Sequence, residues 1–205
     1  MKSKFKTLFV ALFLGSIWGF IEAVLGTVLH LPVIADTCGI WLSSTVVMVP
    51  IAYFLMSLCY TKTKNIRSVL YMGLVAAGIK SIVCLAFGLQ FNPVLYIALE
   101  SLAGAGAVAA IRPTKVMSLK GGLVALLGIS SYAVAFIALK GNFEANIIKY
   151  ALAAGYAVAI TAVGYALSLT SIKMPKIEKF IYSPIAASVA VAVAVIASVA
   201  CQVIA

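Results

Sequence analysis

Seven long apolar runs dominate the sequence, and each is close to the roughly 20 residues that an α-helix needs to cross a bilayer. Hydrophobic residues make up 64% of the chain and charged residues only 10%, whereas a soluble domain is about half apolar and a quarter charged. We therefore predict an all-α, polytopic bundle of seven transmembrane helices, with residues 1–205 forming a single transmembrane domain. The runs cover residues 7–29, 40–60, 68–89, 93–111, 121–140, 146–170 and 181–204.

The positive charges lie in alternate connections between these runs. The segment before the first run, and those between the second and third, fourth and fifth, and sixth and seventh runs, each hold three Lys or Arg residues. The other connections hold only Lys140 and Lys149. Because cytoplasmic loops carry such an excess, we predict a multi-pass protein of the prokaryotic inner membrane with the N-terminus inside and the C-terminus outside. This placement accounts for the net charge of +10 without a nucleic acid partner.

Three ionisable residues interrupt the apolar runs: Glu22 in the first, Lys80 in the third and Glu100 in the fourth. At 1.5 Å per residue from the outer helix ends, they lie ~12, ~14 and ~12 Å deep. Charged groups at such depths are costly unless paired or hydrated, and they are functional candidates by default. Two interpretations stay open: a charge-paired clasp between helices, or a polar site open to the outer face. In the second, the site binds a substrate amine, a metal cation or a proton.

The first run also carries Trp18, Glu22, Gly26 and His30, which recur every four residues and so share one helix face. This stripe suits a ring-shaped or cationic ligand that stacks on Trp18 and pairs with Glu22. Core packing of Trp18 and an interfacial position of His30 are the alternatives. The predicted substrate-binding residues are Trp18, Glu22, His30, Lys80 and Glu100.

A second face of the first run is a ladder of small residues, Ala11, Gly15, Gly19 and Ala23. Small residues at this spacing allow another helix to approach closely. The approaching helix either belongs to the same bundle or to a partner subunit that docks there.

A chain of 205 residues made only of spans, with this ladder and the polar set Trp18, Glu22, Lys80 and Glu100, resembles the substrate-binding S components of energy-coupling factor transporters. The resemblance implies capture of a vitamin or metal ion from the outer side. It also implies docking through Ala11, Gly15, Gly19 and Ala23 onto a transmembrane coupling subunit that works with ATPase subunits. Seven spans are more typical of the cobalt and nickel members, but the start MKSKFK lacks their N-terminal histidine ligand.

The sequence contains no Walker A motif, no G-x-S-x-G and no H-E-x-x-H, and it has a single histidine. We therefore predict no enzymatic activity, no cofactor and no resident metal. The predicted function is uptake of a small solute by the binding subunit of an ATP-driven system. Its partners would be the lipid bilayer, the solute, a coupling subunit and ATPase subunits. The alternatives are a stand-alone proton-coupled secondary transporter, in which Glu22 or Glu100 carries protons, and a membrane subunit of a larger complex.

Overall fold

The computed structural model describes residues 3–29, 31, 36–37, 44–140, 143–169 and 181–204. Within these ranges the chain forms seven long α-helices and no strand. All seven are long and apolar enough to cross a membrane, which confirms the predicted all-α class and the number of long helices. They are α1 (Ser3–Leu29), α2 (Ser44–Thr63), α3 (Arg67–Phe87), α4 (Asn92–Ile111), α5 (Leu119–Lys140), α6 (Phe143–Leu169) and α7 (Pro184–Ile204).

A tight connection joins α3 to α4 and sets the relative level of these two helices. Gly88 ends α3 in the left-handed conformation, with φ +62°, and its N–H bonds to the carbonyl oxygen of Cys84. Only glycine adopts this conformation readily. Pro93 lies in the first turn of α4, where its missing N–H has no intrahelical partner to lose. The two packed helices are therefore antiparallel, and this brings Lys80 and Glu100 to similar distances from the turn.

Helix α2 lies at the centre of the bundle, because it packs against α1, α3, α4, α5 and α6. Its Tyr53 is fully buried. A Cβ atom added at Gly104 of α4 or Gly128 of α5 would meet the Tyr53 ring. The two glycines therefore let α4 and α5 close around this side chain.

The small-residue ladder of α1 is covered by the chain itself. Cβ atoms added at Gly15 and Gly19 would lie 2.7 and 3.1 Å from backbone atoms of α3, so the two helices are in close contact at the glycines. Ala11 and Ala23 are both fully buried. The chain itself therefore covers these four residues in this conformation, which favours packing within the bundle, the first of the two alternatives for this ladder.

Helix α7 packs against α1 and α3, so the last of the seven helices lies beside the first. One side-chain hydrogen bond joins them, in which Gln202 Nε2 donates to Thr27 Oγ1. Polar side chains that bond across helices are a usual contribution to helix association in membranes.

The outer surface of the bundle is strongly apolar. Leu85, Val134 and Ile185 are 70%, 71% and 76% exposed, and other large apolar side chains of α1 and of α3 to α7 are exposed as well. Soluble monomers rarely expose large contiguous apolar patches. Together with the seven candidate spans, this surface indicates a multi-pass membrane protein.

Candidate functional site

A cavity of ≈ 250 Å³ lies between α1, α2, α4 and α5. It occupies the end of the bundle at which α1 and α5 finish and α2 and α4 begin, as the positions of its lining residues show. Two carboxylates from different helices face it, Glu22 of α1 and Glu100 of α4. The remaining lining residues are Thr45, Met48, Val49, Pro93, Tyr96, Ile97, Tyr132 and Phe136.

Trp18 holds Glu22 in place. Its indole Nε1 donates a hydrogen bond of 3.2 Å to Glu22 Oε1, across one helical turn. Trp18 itself is fully buried and is not among the described residues that line the cavity. The structure therefore favours the alternative of core packing for Trp18, in which the enclosed ring orients the Glu22 carboxylate.

Glu100 is the more isolated of the two carboxylates. It is 3% exposed, and its Oε1 has no hydrogen-bond partner among the described residues. The buried hydroxyl of Tyr53 also has no hydrogen-bond partner among the described residues. It lies within electrostatic range of Glu100. Burying an acceptor without a donor is unfavourable by about 1–3 kcal/mol, and by more for a charged group. The site thus contains acceptor capacity that the described protein atoms leave unused.

Lys80 lies to one side of the cavity. It is 9% exposed, and its Nζ is 4.0 Å from the position that a Cβ of Gly26 would take. Gly26 is one turn of α1 beyond Glu22, and Lys80 is within electrostatic range of Glu22. No ion pair within 4.0 Å, however, joins Lys80 to Glu22 or to Glu100 in the described part of the chain. The three charged residues therefore form a pair of carboxylates with a nearby lysine and not a closed triad.

Four aromatic residues form one wall of the site and continue behind it. The ring centroids of Tyr96 and Phe136 are 4.9 Å apart in an edge-to-face arrangement. Tyr132 contacts Phe136 at 5.9 Å and Tyr150 at 5.8 Å. We call Tyr96, Tyr132, Phe136 and Tyr150 the aromatic cluster.

None of these four aromatic residues is among the binding residues predicted from the sequence. Two of them could have been noticed, because Tyr132 and Phe136 are spaced by four in the fifth run and therefore share one helix face. Tyr132 also lies eight residues from Lys140, where α5 ends, which is the same count as from Asn92 to Glu100. Depth counting applied to aromatic residues, and not only to charged ones, would have included Tyr132.

The arrangement is suited to binding a positive charge. No basic side chain is among the described residues that line the cavity, and the described residues contain no group of three or more His, Cys, Asp or Glu that would hold a metal ion. His30, the fifth predicted binding residue, lies outside the described residues.

Comparisons with known proteins add no identification: no protein-family model matches the chain, and no match is found among curated proteins or solved structures.

Proposed function

We propose that this chain is the solute-binding membrane subunit of an uptake system that is energised by partner ATPases. The observation that carries the proposal is the cavity of ≈ 250 Å³ that Glu22 and Glu100 line from separate helices, with no donor for Glu100 Oε1 in the part of the chain that the structure describes. A clasp between helices would pair its charges with each other. Here the carboxylates face a space large enough for a small solute.

The position of the cavity supports capture from outside the cell. It lies toward the end of α1 that is remote from Lys4 and Lys6. The positive-inside pattern assigns those lysines to the cytoplasm. With the N-terminus inside, the cavity lies in the outer half of the membrane in the inner membrane of a prokaryote.

The source of energy is assigned to partners because the sequence contains no nucleotide-binding motif. This is the division of labour in energy-coupling factor transporters, whose S components the chain resembles in its architecture. Since the small-residue ladder is covered by α3, a coupling subunit would dock on other exposed apolar residues of α1, such as Phe5 and Leu8.

Purification of the intact chain from its native membrane in mild detergent tests the proposal. We expect ATPase subunits to co-purify, and the reconstituted complex to take up solute into proteoliposomes only when ATP is hydrolysed. Glu100→Gln should abolish this uptake, whereas Gln90→Ala, at an exposed position, should not change it. Uptake by the chain alone, without any ATPase, would overturn the proposal.

A proton-coupled carrier is the second candidate, and one observation favours it. Glu22 and Glu100 lie within electrostatic range of each other, and two neighbouring carboxylates are a usual site for proton exchange in transporters. This candidate requires uptake that an uncoupler abolishes and that persists when the chain is reconstituted without partners.

A further inference from the structure

The charges around the cavity are unbalanced. Its described lining residues include two carboxylates and no cation. Lys80 approaches Gly26 and contributes no atom to the lining. An anionic solute would therefore face two carboxylates, and the nearby positive charge of Lys80, which lies beside Gly26 and acts on Glu22, offsets only one of them, which makes its binding unfavourable. A cation would reduce the net charge of the site.

The walls of the cavity indicate what kind of cation fits. Apart from the carboxylates, Thr45 and the hydroxyl groups of Tyr96 and Tyr132, the lining consists of aromatic rings with the aliphatic or thioether side chains of Met48, Val49, Pro93 and Ile97. A hard metal ion such as Ca²⁺ or Mg²⁺ is usually held by carboxylate, carbonyl and water oxygens, and among the described lining side chains only the two carboxylates are of this kind. An organic cation instead places its charge beside the carboxylates and its hydrocarbon part against the apolar wall.

The two carboxylates differ in the hydrogen bonds that they already accept. Glu22 already accepts a hydrogen bond from Trp18, whereas Glu100 Oε1 has no donor among the described residues. An ionised donor bonded to a carboxylate gives a charge-assisted hydrogen bond, which is about twice as strong as a neutral one. The ligand that best completes the site therefore carries N–H groups and not only a positive charge.

The aromatic cluster contributes to the same preference. Tyr96, Tyr132 and Phe136 line the cavity beside the carboxylates, and rings near a cation attract it by about 0.5–2 kcal/mol. The size of the cavity limits the ligand. Since a cavity of about 150 Å³ holds benzene, ≈ 250 Å³ holds a molecule of roughly ten non-hydrogen atoms.

From these four observations we propose that the cavity binds a small protonated amine, whose N–H groups donate to Glu100 and Glu22 and whose apolar part contacts Tyr96, Tyr132 and Phe136. This assignment names the substrate class of the proposed uptake function and rests on that function for its biological role. Binding itself requires only the isolated chain.

Binding to the purified full-length protein in lipid nanodiscs, measured by calorimetry, tests the assignment. The probes are phenethylamine and three related compounds: phenylacetate and 2-phenylethanol, which are close to it in size, and the bulkier N,N,N-trimethylphenethylammonium, which keeps the charge but has no N–H group. We expect phenethylamine to bind, 2-phenylethanol and the trimethylated compound to bind at least tenfold more weakly, and phenylacetate not to bind. Equal binding of phenylacetate, or no binding of phenethylamine and of shorter primary alkylamines at millimolar concentration, would overturn it.

Variants connect the binding to the cavity. Glu100→Gln should weaken phenethylamine binding at least tenfold. Tyr96→Leu should weaken it by about 2- to 30-fold, which is the range of the cation–π energy. Phe87→Leu, at a more exposed ring, is the matched control and should leave binding unchanged. Amine binding that none of the cavity variants changes would overturn the assignment, because the amine would then occupy another site.

The outcomes separate this inference from the proposed function. If ATP-dependent uptake depends on Glu100 but the solute is anionic or neutral, the uptake function stands and the amine assignment fails. If the isolated chain binds amines through Glu100 but no ATP-dependent uptake is found in the native complex, the amine assignment stands and the uptake function fails.

Discussion

Glu100 lies 3% exposed at the wall of the cavity, with one carboxylate oxygen unpaired among the described residues. A buried charge of this kind lowers stability unless something in the site compensates it. Residues that serve binding are often retained at such an expense of stability.

The first prediction follows from this isolation. Glu100→Gln keeps the size of the side chain but removes its charge, so the thermal unfolding midpoint of the ligand-free protein should stay the same or rise. Binding and uptake of the solute should be lost in the same variant. Ser130→Ala, at an exposed position of α5, is a control for purification effects. A large fall in the midpoint of Glu100→Gln would show that the carboxylate is a structural element.

The second prediction concerns Lys80. Lys80 lies within electrostatic range of Glu22, so Lys80→Met combined with Glu22→Gln should show a coupling energy of about 0.5–3 kcal/mol in unfolding experiments. Lys80→Met combined with Glu100→Gln should show a smaller coupling energy than the Glu22 pair, because Glu22 is the partner that the two sites share. A stronger coupling to Glu100 than to Glu22 would mean that Lys80 pairs with Glu100, and the description of the site would have to change.

The sequence predicted how deep the charged residues lie along their helices better than it predicted the side of the helix to which their side chains point. Counting residues from helix ends gives the position along a helix, and Glu22 and Glu100 do line one cavity. Rotation about the helix axis depends on packing, which a count does not include. Trp18 therefore points into the core and Lys80 toward Gly26, although both lie near the depth expected for the site.

At the scale of the helices, close contact between α1 and α3 depends on glycine. The third prediction is that Gly15→Ala lowers the free energy of unfolding by about 1–3 kcal/mol, because the added methyl group would overlap the α3 backbone. Gly78→Ala is the matched control, since nothing lies within 4 Å of a Cβ at that position. If both variants had the same stability, the contact between α1 and α3 would not be as tight as described.

The limits of the helices were largely predictable, since length and apolar character determine which segments span a bilayer. The third run was expected to continue to residue 89, but α3 ends at Phe87. Gly88 takes the left-handed conformation there and terminates the helix. The role of the small-residue ladder could not be predicted from the sequence, because small residues at this spacing occur both in helix packing within a chain and in docking between chains.

At the scale of the whole molecule, the distribution of Lys and Arg predicts the orientation of all seven helices. The fourth prediction is that a reporter fused after Ala205 reports an external location and one fused after Thr170 a cytoplasmic location. Lys149, in the second turn of α6 at the end assigned to the outside, should be accessible to a membrane-impermeant amine reagent added to intact cells. A cytoplasmic signal from the Ala205 fusion would reverse the predicted orientation.

The contact between α7 and α1 has a consequence for biosynthesis. Helix α1 is translated before the other six helices. The part of its surface that α7 covers therefore stays uncovered until α7 has left the ribosome. During translation this surface, including the Thr27 hydroxyl that later accepts from Gln202, must be shielded by lipid or by the insertion machinery. A chain whose synthesis stops before Pro184 therefore lacks one neighbour of α1 and leaves the α1 surface that α7 covers exposed.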